Sequence, residues 1–388
     1  MARPLRGSVS CGSGWSVPCV SIQLTLSQTW LVGTLCVDTT DPFANFASGK
    51  MVFALFSAAL LAALHPGWPL TDPKMSASEA AVTNLMKASD PLLLWVRQLL
   101  PERRRASASA LYAWCRRLDE IVDAPAASVT RCKKSQQLSD WAQRLDELWA
   151  GAPRDDLDAA LTLTIRREPA LMRKPFDAML AGMRMDATSE SLRFEHFREK
   201  ANSETSLLTY CYRVAGTVGE MLLPVLGLDG CDVRDEAIAL GCAIQLLNIM
   251  RDCADDLNTR GRLYLPLADA ARVGLSEADL ERIIRSREPT AEYQRLLRLQ
   301  GRRAAVLLAR AEQSLPKLPS TATAVAVAVL IELHRALLQQ MRDSSYDNLR
   351  AQAVGARRLR VSSVWKVVIT ARTAARVLWQ RVTVSAFA

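Results

Sequence analysis

From about Ala77 onward, apolar residues return every three or four positions and polar residues fill the gaps, the period of helices with one buried side. The pattern predicts helices over residues 77–88, 91–99, 102–122, 134–150, 155–166, 170–182 and 191–200. It predicts further helices over 203–226, 232–257, 275–285, 289–314, 320–343 and 346–359. Breaks fall at Pro125, at Gly151-Ala-Pro153, between Pro224 and Gly230, from Gly261 to Pro266 and from Pro316 to Pro319. Connections this short fit a compact bundle, and no repeat of solenoid type interrupts them. Ala324 to Ile331 alternates in residue size as a strand would. It lies within a longer run free of turn residues, which favours a buried helix. The expectation is an all-α fold: one large bundle over residues 77–365, then a basic tail over 366–388. The piece 361–388 has no apolar stretch of the roughly 18 residues that would make a membrane anchor.

Residues 1–76 read differently. The first 50 are rich in Ser, Thr, Gly and Cys and carry no acid before Asp38. After Lys50 an apolar run extends from Met51 to Leu64, stopped by Pro66, Gly67 and Pro69. That run has the length of a signal-peptide core and is short for a bilayer span. Two readings stay open: a removable targeting leader, and an N-terminal core helix behind a disordered tail. Met51 is an alternative start.

Composition narrows the chemistry. Of 388 residues 49% are hydrophobic, enough for a sizeable core, and only 6% are aromatic. The net charge of +9 admits nucleic acid, an anionic membrane surface or an acidic substrate as partner. Arginine is spread along the chain, and no zinc finger, RNA-recognition signature or basic arm occurs, so nucleic acid is not expected. A diphosphate substrate needs cations only at its site. The nine Cys are odd in number and form no CxxC, which reads as reduced core thiols. The three histidines, His65, His196 and His334, share no zinc-like spacing, which argues against His-based metal sites and Ser/His triads.

Two acidic clusters stand out on otherwise apolar helices. Asp119 and Asp123 are four residues apart, so a helix puts both carboxylates on one side, with Arg116 one turn earlier and Tyr112 before it. Asp252 and Asp256 repeat the spacing, with Asp255 between them, Arg251 adjoining, and Gln245 and Asn248 on the same side. Polar groups in an apolar helix are costly unless partnered. A hard divalent cation takes one or two carboxylates plus phosphate oxygens and water. Bridging metal and arginine would neutralise the charge that develops on a departing diphosphate. A solvated helix face is the plain alternative for either pair taken alone.

The wording around these clusters resembles the trans-isoprenyl head-to-head synthases, the phytoene/squalene synthase family, and its phytoene-forming branch in particular. Tyr112-Ala-Trp-Cys-Arg-Arg-Leu-Asp-Glu-Ile-Val-Asp123 is similar to the family's first aspartate-rich motif. Gln245-Leu-Leu-Asn-Ile-Met-Arg-Asp-Cys-Ala-Asp-Asp256, followed by Gly261-Arg-Leu-Tyr-Leu-Pro266, is similar to its second. Gly182-Met-Arg-Met-Asp186, Tyr210-Cys-Tyr-Arg-Val-Ala-Gly-Thr-Val-Gly219 and Ser345-Tyr-Asp-Asn348 are also family-like, and the likeness covers roughly residues 85–365 in order.

The resemblance implies the bundle of the isoprenoid synthases with a central cavity. It implies Mg²⁺, or Mn²⁺, on Asp119, Asp123, Asp252 and Asp256, with no NADPH. By the same resemblance Arg116, Arg251, Gln245 and Asn248 contact diphosphate, metal or intermediate, and Tyr112 and Tyr210 line the cavity. Ala215, Gly216 and Gly219 would leave room for the prenyl tails, a role that competes with simple close helix packing. The implied reaction joins two geranylgeranyl diphosphates through a cyclopropyl diphosphate to phytoene. Plastid location, loose membrane attachment and carotenoid-pathway enzymes as partners follow as expectations. Three places depart from the family: Leu92-Leu-Leu94 stands where Ser-Phe-Tyr is usual, Asp255 replaces a Glu, and His334 replaces an aromatic before Arg335. Two alternatives remain, a squalene- or dehydrosqualene-type synthase using farnesyl diphosphate, and a non-catalytic relative acting in assembly or lipid binding.

Overall fold

Among the described residues from 77 onward, most stretches with an apolar helical period are helical, and Gly, Pro or a capping hydroxyl marks most of their ends. The computed structural model describes residues 19–26, 29–36, 77–89, 96–124, 129–188, 192–198, 206–228, 232–350 and 361–387. Two units divide it, residues 1–69 and 70–388. In the first, β1 (Cys19–Leu26) and β2 (Thr29–Cys36) pair antiparallel, from Cys19 opposite Cys36 to Leu26 opposite Thr29. This pairing falls in the segment read as leader or disordered tail, and the apolar run 51–64 lies outside the described residues.

The second unit is all-α. It opens with α1 (Ala77–Ser89), α2 (Glu102–Asp123), α3 (Arg131–Ala150), α4 (Asp156–Arg167) and α5 (Lys174–Thr188). Next, α6 (Leu207–Cys211) passes through a π-helical turn, Tyr212–Gly216, into α7 (Thr217–Val225). The long α8 (Arg234–Arg260) precedes the short α9 (Leu267–Arg272) and α10 (Glu277–Ser286). Then come α11 (Ala291–Glu312), α12 (Thr321–Asp343) and α13 (Ser363–Phe387).

Local chemistry sets these limits. Side chains of Thr130, Asp155, Ser206, Thr290 and Ser320 accept from backbone N–H groups three residues on and cap α3, α4, α6, α11 and α12. Ser276 and Asp279 form a reciprocal capping box on α10. Gly151 and Gly261 end α3 and α8 with φ of 83° and 69°, where a side chain would be strained.

Three predicted helices differ. Residues 192–198 are extended: Leu192 and Phe194 are buried, and Leu263 N–H and Leu267 N–H donate to their carbonyls at 3.0 Å. Of the predicted helix 346–359, residues 346–349 lie in a turn, with Ser345 and Tyr346 at φ of 53° and 61°, and 351–359 lie outside the described residues. That turn presses the Tyr346 hydroxyl toward α11, where a Cβ at Gly301 would lie 2.6 Å from it. Of the predicted helix 91–99, residues 96–100 form a turn and 91–95, including Leu92 to Leu94, lie outside the described residues. Ala324 to Ile331 is helical within α12. The expected C-terminal tail is the helix α13, which packs on α12 and crosses the boundary expected at residue 365.

One core gathers around α8 and α11, with Leu246, Leu247, Met250, Leu296 and Leu308 fully enclosed. A second joins α2, α3 and α5, where Phe176 meets Trp114 and Trp149 edge-on at 4.8 and 5.0 Å. Backbone approach is closest where the segment around Gly216 crosses α8. A Cβ at Gly219 would overlap the Ala237 carbonyl, and one at Gly241 would overlap that of Ala215. The four buried thiols, Cys115, Cys211, Cys242 and Cys253, are free, and burial pushes Cys242 and Cys253 up to about 12.

Candidate active site

Both aspartate pairs sit at the C-terminal ends of their helices, α2 and α8, and these ends meet. The link is cationic. Arg260 places Nε 3.1 Å from Asp123 Oδ1 and Nη1 3.3 Å from Asp256 Oδ1, so one side chain spans the two motifs. Arg262 donates from Nη1 to Asp123 Oδ1 at 3.0 Å and from Nη2 to the Val122 carbonyl at 2.9 Å. Lys134, on α3, donates from Nζ to the carbonyls of Val122 and Ala124 at 2.8 and 2.5 Å. Cations thus satisfy the open carbonyls at the end of α2 and oppose its negative dipole end.

The carboxylates are crowded. Burial, then the charge of Asp123, pushes Asp119 up to about 7 against the pull of Arg116. Burial, then the charge of Asp252, pushes Asp256 up to about 7 against Arg260 and Arg262. Asp123 acts on both, so the two motifs form one electrostatic unit. Arg251 holds Asp252 with two hydrogen bonds of 2.9 and 2.7 Å. Arg116 stands 3.5 Å from Glu120. The buried Nε atoms of Arg116 and Arg260 complete no hydrogen bond of good geometry, though each stands at ion-pair distance from a carboxylate, Glu120 and Asp123 respectively.

Behind this unit lies Asp186 of α5, 9% exposed. Tyr210 and Tyr264 each donate a hydroxyl to it at 2.8 Å, on different oxygens, and Arg262 Nε lies 3.7 Å away. Burial raises the Asp186 carboxyl above its usual range, with Arg262 and the two hydroxyls opposing. Phe194, from the extended segment 192–198, packs on both tyrosines with ring centroids 5.4 and 6.2 Å away.

The structure therefore brings together Asp119, Asp123, Asp252, Asp256, Arg116 and Arg251, with Tyr210 in the layer beneath. Gln245 and Asn248 are half-buried on the same side of α8 as Asp252. Tyr112 packs against a small cluster containing Val82, Met86 and Ala110. Gly219 faces the α8 backbone and Gly216 faces Ile238 and Cys242, so with Ala215 they permit the close helix crossing. Arg260, Arg262, Asp186, Tyr264 and Lys134 are the site residues that spacing alone did not single out. For the first four, the signal was their place in or beside the family-like segments.

The fold and this double-aspartate site define a class, the isoprenoid synthases that work on prenyl diphosphates. The chain belongs to the squalene/phytoene synthase family, whose model matches residues 86–365. It is 38% identical over 261 residues to phytoene synthase 1, chloroplastic, of Arabidopsis thaliana, a match covering 66% of this chain and 57% of that protein. It is 38% identical over 268 residues to the 15-cis-phytoene synthase of Synechococcus elongatus, covering 66% of this chain and 80% of that one. Among solved structures it is similar to a dehydrosqualene synthase in complex with ligand, at TM-score 0.64 and 26% identity, covering 77% of this chain and 96% of that one. The fold is also that of squalene synthase HpnC from Alicyclobacillus acidocaldarius, at TM-score 0.59 and 23% identity, covering 69% and 94% of the two chains.

Proposed function

We propose that the chain is a phytoene synthase, a transferase that condenses two geranylgeranyl diphosphates head to head and releases two diphosphates. The observation that carries this reading is the junction of the two motifs, with Arg260 touching Asp123 and Asp256 at once. A diphosphate lying across that junction would meet Arg260, Arg262, Arg116 and Arg251 as donors. The phytoene synthase names of the plant and cyanobacterial relatives support the C20 substrate.

The donor chemistry of the two motifs suits a divalent cation, while among the described residues no three of His, Cys, Asp or Glu stand grouped as a ready-made metal site. The oxygens on offer are carboxylates, and Asp119 and Asp256 are raised by burial first and by the charges of Asp123 and Asp252 second, both of which a bound cation would oppose. Asp119, Asp123, Asp252 and Asp256 would hold Mg²⁺, which Mn²⁺ could replace. When bound, the metal supplies charge neutralisation to the departing diphosphate. The arginines would orient each diphosphate by hydrogen bonding. The enclosed aliphatic wall of α8, with Leu246, Ile249 and Met250, would exclude water from the allylic cation.

The chloroplastic names of plant relatives support a plastid location, with residues 1–76 as the leader ahead of the catalytic bundle. Peripheral membrane attachment suits an insoluble C40 product, and enzymes of carotenoid synthesis are the natural neighbours. A second reading, a C30-forming synthase using farnesyl diphosphate, is favoured by the likeness to a dehydrosqualene synthase.

The test is a product assay with Mg²⁺ and either the C20 or the C15 allylic diphosphate. Phytoene from the C20 substrate, lost in Asp119→Asn and in Asp252→Asn, is the expected result. A C30 product alone would move the chain to the second reading. Release of diphosphate from neither substrate would overturn both and leave a non-catalytic relative.

A further inference from the structure

Among the described residues, eight large hydrophobic side chains are exposed, and five of these lie on α13: Val364, Trp365, Leu378, Trp379 and Val382. Their exposures run from 46% to 72%. At about 100° per residue they share one sector of about 140° of the helix surface. Val377 and Thr373, each 4% exposed, mark the opposite side, which packs into the bundle. The helix therefore shows water an apolar face, the reverse of a surface helix that completes a monomer. Trp365 and Trp379 stand on nearly the same line, about 21 Å apart along the axis. Beside Trp365 lies a groove of about 670 Å³ whose lining is mixed, with Leu308 and Ile369 on its apolar part and Glu332, Arg335, Arg342 and Asp343 on its charged part.

The charge of this region is as uneven as its polarity. Residues 348–388 contain eight Lys and Arg and no Asp or Glu. The whole chain carries +9, which leaves +1 for residues 1–347. Among the described residues of this region, Arg350, Arg376 and Arg381 are used within the fold, Arg350 standing 3.6 Å from Asp347. Arg376 bonds Glu312 and Glu332 at 3.2 and 3.0 Å, and Arg381 donates to the carbonyls of Leu318 and Pro319. Arg372 is exposed, in the same sector as the two tryptophans, whereas the half-exposed Lys366 lies seven residues before Thr373, on the side that packs into the bundle.

We propose that α13 is a membrane-docking helix that lies flat on an anionic bilayer. Its tryptophans, Leu378 and Val382 enter the boundary between headgroups and acyl chains, and Arg372 meets lipid phosphates. Tryptophan at this depth has its ring in apolar surroundings and its N–H in wet ones. Charge decides against a second copy as the occupant, because a twofold contact through α13 would set two acid-free basic segments against each other. Spanning is not the mode either. By length and composition only α8 and α12, among the described residues, could cross a bilayer, and both are half-buried in the bundle. The inference rests on the peripheral attachment proposed above and names its structural element; it is independent of the prenyl chain length.

Co-sedimentation of the full chain with phosphatidylglycerol-containing vesicles and with pure phosphatidylcholine tests it. Wild type should pellet with the anionic vesicles, less so as salt is raised. Trp365→Gln with Trp379→Gln should lower the partition coefficient by about tenfold. Arg372→Gln should lower it by about fivefold, and only on anionic lipid. The Trp365→Phe, Trp379→Phe pair should retain binding, and thermal melts establish that each variant is folded. Wild type that pellets with neither lipid overturns both the attachment and this assignment. Wild type that pellets while the Trp→Gln pair and Arg372→Gln bind equally well overturns the assignment alone, and a concentration-dependent dimer lost in the Trp→Gln pair, without vesicle binding, replaces lipid by a second copy.

Discussion

Replacing Tyr210 and Tyr264 by phenylalanine, singly and together, probes whether Asp186 anchors the site. Phenylalanine keeps the ring packing on Phe194 and removes only the hydroxyl that each tyrosine donates to Asp186 at 2.8 Å. A hydrogen bond to a charged acceptor contributes about 1.5–3 kcal/mol, and a buried carboxylate left short of donors sits at the upper end. Each single variant should therefore lose about 2 kcal/mol of stability. The two hydroxyls are 3.2 Å apart and share one acceptor, so the double variant should depart from additivity by at least about 0.5 kcal/mol. Urea unfolding of the full chain is the assay, reading the midpoint at unchanged slope. Arg262 lies between Asp186 and Asp123, so the same variants should raise KM for the diphosphate substrate more than they lower kcat. Single losses below about 0.5 kcal/mol that add without coupling would refute the buried anchor.

Three further outcomes follow from the geometry. With chelator present, Asp119→Asn and Asp256→Asn should melt no lower than the parent, because each removes a crowded charge, yet Mg²⁺ should stabilise the parent far more than either variant. A parent melting temperature unmoved by excess Mg²⁺ would count against the metal reading. Gly241→Ala drives a methyl into the Ala215 carbonyl and should destabilise the fold by about 1–3 kcal/mol in urea, without changing which product forms. Asp269 receives Arg303 Nη2 and Gln300 Nε2, each at 3.1 Å; burial works against its ionisation, but these donors hold its carboxyl below the usual range. Its folded value is lower than its unfolded one, so the stabilisation is full above about pH 4 and disappears as pH falls through the folded value. Asp269→Asn should remove that acid limb and, by leaving Arg303 short of its partner, cost about 3 kcal/mol at neutral pH.

How much could be read beforehand depended on sequence distance. Asp119 with Asp123, and Asp252 with Asp256, are local facts: a spacing of four on an apolar helix is enough to place each pair on one face. The bonds that turn two pairs into one site are not local, for Arg262 reaches Asp123 across 139 residues and Tyr264 reaches Asp186 across 78. No periodicity announces such contacts. The segment 192–198 reads as helix by its period, although Leu192 and Phe194, buried on either side of the half-exposed Arg193, alternate as a strand does. The competing helical pattern prevailed because only the partner backbone at Leu263 and Leu267 makes the extended form worthwhile. The turn at Tyr346 likewise depends on a gap 45 positions earlier, at Gly301.

The C-terminal region yields the same lesson from the other side. Its basic composition was plain, but α13 looked mixed because its apolar and basic residues were judged by run length rather than by face. Plotted on a helix, Val364, Trp365, Leu378, Trp379 and Val382 separate from Val377 and Thr373, and only burial shows which of the two sides meets the bundle. The bundle takes the narrower side. If water were the final surroundings of the broader one, a single charged substitution such as Val382→Glu would leave vesicle binding unaltered. On a bilayer the same substitution puts a carboxylate among lipid phosphates and should weaken binding to anionic vesicles while leaving the melting temperature unchanged, an effect that a structural role for α13 alone would not produce.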